Sequence, residues 1–224
     1  MGTSQHQITL ENGYTDTKGV THNEIIFGHR VNGNDLVEIE GRTDGLSADV
    51  SNCWLIGKAL LQFGTLQRPN FIDALLSLDS LELEEVEQGH DEFLRRTSSP
   101  PLFISEDTVR LGCGFTLDGE RYNTLTVGRL LTGYDLMRAD RMRLTGVMRN
   151  FYLLGLQVMK ISQSDGEKFL DEPLPVEAFY AMDVNDIGAI RQTAELFKAK
   201  RRQELQTKRQ QRSTEASEEN EAVN

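Results

Sequence analysis

Ile8-Thr9-Leu10-Glu11-Asn12-Gly13-Tyr14-Thr15 and Val109-Arg110-Leu111-Gly112-Cys113-Gly114-Phe115-Thr116 carry one pattern of apolar, polar and glycine positions. The likeness continues at a constant offset of 100 once an extra residue in the first stretch is passed. Gly19 meets Gly119, Asn23 meets Asn123, Gly28 meets Gly128, Gly33 meets Gly133, and Asp35-Leu36 meets Asp135-Leu136. A second block aligns at an offset of 104, where Ala74–Asp79 meets Ala178–Asp183 and Phe93 meets Phe197. Leu55-Ile56-Gly57 lies on Leu153-Leu154-Gly155 between them. The period is too long for a solenoid repeat of ~20–50 residues, so each copy must bury a core of its own. The expectation is two tandem copies of one small α+β domain.

Each copy reads as a β-hairpin followed by three or four helices. In the second, Val109–Leu111 alternates, Asp118-Gly119 turns the chain, and Tyr122–Leu131 alternates again. Thr132 with Asp135, and Asn32 with Asp35, resemble capping boxes with Asp at the third helical position. A longer helix is predicted over Leu144–Ser162, where Val147, Phe151, Leu154, Val158 and Ile161 recur every three or four residues, and over Ser47–Phe63. Breakers follow at Asp165-Gly166 and Pro173, and at Arg68-Pro69-Asn70. Then come a short helix (Val176–Ala181, Phe71–Ser77) and a last one, with seams Ile187, Ile190, Ala194, Phe197 and Leu83, Val86, His90, Phe93. The division predicted is a first copy over 1–96, a proline-bearing linker over 97–104, a second copy over 105–199, and a charged, disordered tail over 200–224.

Composition narrows the function classes. Thirty-five acidic residues against 24 basic ones give a formal charge of −11. That balance speaks against nonspecific nucleic-acid binding, which needs a basic face. The longest apolar stretches, Cys53–Phe63 and Phe151–Ile161, fall short of the roughly 20 residues that cross a bilayer. No membrane association and a cytoplasmic location are expected. Cys53 and Cys113 form no metal-binding pattern, and Cys53 reads as a small buried hydrophobe.

The residue types that could carry chemistry have simpler explanations. His6, His22, His29 and His90 have no ligand spacing, and the second copy keeps none of them. His90 falls on a helix seam and is expected to be partly buried and hydrogen-bonded. Asp35 with Asp135, and Asp79 with Asp183, are the most site-like residues because both copies keep them, yet helix capping accounts for all four. Gly13/Gly114 and Gly19/Gly119 suit positive backbone φ in a hairpin, and Gly33/Gly133 fall in helix caps. No catalytic residue, cofactor or metal ligand is expected. A small-ligand binder or enzyme working in a cleft between the copies would need convergent polar groups there.

Three segments of the second copy carry a family resemblance. They are Leu-x-x-Gly-Phe-Thr-Leu-Asp-Gly-x-Arg-Tyr over 111–122, Thr132–Asp140, and Leu174-Pro175-Val176-Glu177-Ala178-Phe179-Tyr180-Ala181-Met182-Asp183-Val184-Asn185-Asp186-Ile187. The pattern resembles the tail assembly chaperones of long-tailed phages, the Mu-like and P2-like group, over most of Val109–Phe197 and more faintly over Ile8–Phe93. The resemblance implies a non-enzymatic protein of the host cytoplasm. It implies binding to the amphipathic helices of the tape measure protein during tail morphogenesis, with the tail tube protein and self-association as further partner expectations. Members usually hold a single such domain. Two copies also fit a structural tail or baseplate component retained in the virion.

Overall fold

The computed structural model describes residues 5–163 and 166–222. Strands β1 (His6–Thr15) and β2 (Thr21–Phe27) form the first hairpin; α1 (Gly33–Thr43) and α2 (Ala48–Ala59) follow, then β3 (Leu60–Phe63). A single 3-10 turn at Arg68–Asn70 leads into α3 (Phe71–Leu76) and α4 (Ser80–Thr97). After a short strand β4 (Leu102–Phe103), a similar order follows, with a strand in the place of the 3-10 turn. It runs β5 (Thr108–Leu117), β6 (Glu120–Val127), α5 (Gly133–Arg141), α6 (Gly146–Gln157), β7 (Val158–Gln163), β8 (Gly166–Phe169), α7 (Val176–Tyr180) and α8 (Val184–Ala222). Both sheets are antiparallel, ordered β1-β2-β3 and β4-β5-β6-β7-β8.

Each sheet buries one face under its own helices. Leu10, Ile25, Phe27, Phe63, Phe71 and Phe93 centre the first core. Leu111, Phe115, Leu125, Phe151, Phe179 and Ile190 centre the second. The expected capping boxes are present. The Asn32 side chain accepts from the backbone N–H of Asp35, Thr132 does the same for Asp135, and each Asp accepts in return from its cap residue's N–H. Cys53 is buried in the first core, as its apolar setting predicts.

Four boundaries differ from the sequence reading. The long helices stop at Ala59 and Gln157, and the chain runs on from each as strand, so each hairpin is part of a larger sheet. The cause is a β-bulge. Phe27 pairs with Leu60 and Ile26 with Gln62, leaving Leu61 extra; Val127 pairs with Val158 and Thr126 with Lys160, leaving Met159 extra. The bulge turns Leu60 and Phe63, or Val158 and Ile161, to the same side at a spacing of three, which imitates a helical stripe. The linker over 97–104 holds β4, whose Leu102 and Phe103 pair with Arg110 and Val109. Gly166, read as part of a breaker, opens β8; Asp165 lies outside the described residues. Finally, α8 continues to Ala222, so the stretch read as a disordered tail is helical to that point.

Candidate functional site

The acidic residues matched between the halves lie at helix starts. Asp35 and Asp135 close the capping boxes; Asp35 also has His29 Nε2 at 3.2 Å and Lys58 at 3.8 Å, and Asp135 has Arg129 at 2.6 Å. Burial works to raise the Asp135 carboxyl, but the Thr132 hydrogen bonds and the Arg129 guanidinium outweigh it and hold it below its usual value. Asp79 accepts from the N–H groups of Leu81 and Glu82 at the start of α4, the expected N-cap. Asp183 accepts from Asn185 N–H at the start of α8 and also takes Arg30 at 2.9 Å. Burial pushes the Asp183 carboxyl up, and Arg30 offsets this only in part.

The sequence reading missed a second acidic pair. Glu82 accepts from the N–H groups of Asn12 (2.7 Å) and Gly13 (2.8 Å). Asp186 accepts from Gly112 (2.6 Å), Cys113 (2.9 Å) and Gly114 (3.0 Å). Both reach from the first turn of the last helix to an irregularity in the first strand, where Gly13 and Gly114 hold φ of +67° and +69°. A bulge leaves backbone N–H groups without a ladder partner, and a buried carboxylate satisfies several at once. The signal was present: an acid stands three residues after the kept Asp79 and Asp183 in both halves.

The histidines stay apart. His6 stacks on Phe27, while His22 lies 3.4 Å from Asp16 and accepts from Thr65 N–H. His90 is buried against Phe27, but its Nε2 has no hydrogen-bond partner among the described residues, contrary to expectation. Burial pushes its pKa below the ordinary 6.5, with Asp91 acting weakly the other way. Among the described residues, no three His, Cys, Asp or Glu gather to hold a metal. The sign of the pH effect comes from this neutral histidine. The unfolded chain takes up a proton near 6.5 and the folded chain only lower, so stability falls as pH drops through that window. His90→Leu is expected to flatten the slope between about pH 7 and 5, as read from urea midpoints at each pH.

One surface groove of about 320 Å³ has Trp54 in its wall, with Arg42, Lys58, Arg68, Ile72 and Glu38 around it. Its charges are already engaged. Glu38 takes both Lys58 and Arg42, Arg42 also lies over the Trp54 ring, and Arg68 donates to the Leu60 carbonyl. The chain matches no family model, no curated protein and no solved structure. Among the described residues, no helix is long and apolar enough to cross a membrane.

The most built feature is the seam where α1 meets α6, α7 and α8. Gly33 N–H donates to the Met182 carbonyl (3.0 Å), and Val184 N–H donates to the Val31 carbonyl (3.1 Å). Arg30 reaches Asp183, the Cys113 sulfur and the Thr97 carbonyl. Glu40 accepts from Val147 N–H at the start of α6. Leu36 and Val37 pack on the second core, and Val184 packs on the first. The groups that converge here are consumed in joining the halves.

Proposed function

We propose that this chain is a tandem duplication of a tail-assembly-chaperone-like domain and acts without catalysis. It binds the amphipathic helices of a tape measure protein in the host cytoplasm during phage tail morphogenesis. The observation that carries this reading is the fate of the acids matched between halves. Asp35/Asp135, Asp79/Asp183 and Glu82/Asp186 all accept from backbone N–H groups, at a helix cap or at the strand bulge. What the halves share is scaffold, which suits a protein that works through its surface. The repeated element order, the paired capping boxes and the matched bulges support the duplication. The resemblance over 111–122, 132–140 and 174–187 supports the partner.

A long apolar helical seam aggregates unless an amphipathic surface covers it. Co-expression with this chain is therefore expected to move the tape measure protein from the pellet to the soluble fraction and to co-purify the two. Equal pelleting with and without the chain would sink the chaperone reading. The exposed apolar residues on α5, among them Tyr134 at 79% exposure, favour one second reading: a structural component kept in the tail. Mass spectrometry of purified virions separates the two, because a chaperone is absent and a component is present in stoichiometric amount.

A further inference from the structure

The seam between the halves is heterologous: α1 of one half meets the α6–α7–α8 end of the other. The matching surfaces, on α5 and at the start of α4, are largely exposed. On α5, Gly133, Leu136 and Met137 stand where Gly33, Leu36 and Val37 stand on α1, and all three are exposed. At the start of α4, Leu78, Asp79 and Ser80 stand where Met182, Asp183 and Val184 stand. Met182 is fully buried and Asp183 nearly so, whereas Leu78 is half-buried and Asp79 and Ser80 are exposed.

Gly133 is informative. A Cβ at Gly33 would overlap the Phe179 carbonyl oxygen, so the seam excludes any side chain there. A Cβ at Gly133 would meet nothing within 4 Å, and its φ is not positive. Within one chain nothing requires glycine at 133. A neighbour docked as the halves are docked would require it.

We propose that the α5 face of one chain docks on the α2–α3–α4 end of a second copy, repeating the internal seam between molecules. Gly133 N–H then donates to the neighbour's Leu78 carbonyl, and the neighbour's Ser80 N–H donates to the Leu131 carbonyl. Three contacts of the internal seam change, since Leu130 also lacks the Arg30 contact with the Cys113 sulfur. Leu130 and Asp79 replace the Arg30–Asp183 ion pair, and Asp140, engaged by Arg149 at 3.3 Å, stands in place of Glu40. Exposed Leu130, Leu136 and Met137 give the α5 face its apolar side chains, with Leu130 in the place of Arg30. Each chain offers one surface of each kind, so assembly proceeds head to tail and ends only in a closed ring or a helical filament.

The proposal rests on reading the halves as copies. Superposing the halves of an experimental structure tests that reading separately, so a monomeric chain would sink the assembly alone. The experiment is sedimentation of the full chain over a concentration series. The mass is expected to rise beyond twice the 25.3 kDa of one chain. Gly133→Val blocks the α5 face. Ser80→Glu blocks the other, at an exposed first helical position where a carboxylate suits the helix dipole. Each variant alone is expected to sediment as a monomer and to unfold like the wild-type chain diluted below the assembly range. Mixed, the two retain one intact surface of each kind and are expected to form a 1:1 pair and stop. A wild-type chain that stays monomeric or stops at a dimer overturns the proposal, as do variants that assemble like wild type or a mixture that yields no pair.

Discussion

Asp186→Ala is expected to destabilise the second half by about 4 kcal/mol, near the top of the range for single substitutions. Asp186 is 1% exposed, and its two carboxylate oxygens take three backbone N–H groups from Gly112, Cys113 and Gly114. Hydrogen bonds to a charged group are stronger than neutral ones, and each buried donor left unmatched costs about 1–3 kcal/mol. Alanine removes all three acceptor contacts at once and leaves a space too enclosed for water to substitute freely. The matched experiment is Glu82→Ala, where only Asn12 and Gly13 lose their acceptor and the expected cost is about 2–3 kcal/mol. Urea unfolding followed by circular dichroism gives both values. Amide exchange should show protection lost first at 112–114 in one variant and at 12–13 in the other. Equal and small losses would mean that the strand irregularity holds its own shape, with the carboxylates as bystanders.

What could be read from the residues was local in origin. The hairpin turns, the Asn32/Asp35 and Thr132/Asp135 boxes, and the seams of α4 and α8 each depend on a few neighbouring positions, and those came through. Strands β3 and β7 did not. Leu60 with Phe63, and Val158 with Ile161, keep a helix-like spacing because a bulge across the sheet shifts their register. That bulge is set by a partner strand far along the chain. Glu82 and Asp186 escaped for a related reason, since an acid in a helix's first turn already has an explanation in the dipole. Its real partners lie 69 to 74 positions away. The seam was the least legible. Arg30 aligns with Leu130, so comparing the two halves marks it as unimportant, although Arg30 joins Asp183, Cys113 and Thr97.

Comparing Gly33 with Gly133 turns that asymmetry into a measurement. Gly33→Val is expected to cost about 4 kcal/mol: roughly 1–3 for forcing a side chain into a packed contact, and about 1 for each hydrogen bond lost. Neither the helix nor the backbone angle is the cause, because Gly33 sits at the first position of α1 with ordinary φ. The cause is the Phe179 carbonyl, which the new side chain would overlap. Relief comes by parting the seam, which breaks the Gly33–Met182 and Val184–Val31 hydrogen bonds and draws Arg30 off Asp183. Each half keeps its own core, so the loss should appear as uncoupling. A single thermal transition splits into two, and proteolytic cleavage near 97–104 speeds up. At a dilution where the chain is a monomer, Gly133→Val meets open space and should change stability by no more than about 0.5 kcal/mol, as most exposed substitutions do. The same substitution at matched positions then reports one thing only, whether another surface is pressed against that glycine. A Gly33→Val chain that melts like wild type would mean that the halves touch without holding each other, and the seam would lose its claim as the template for assembly between chains.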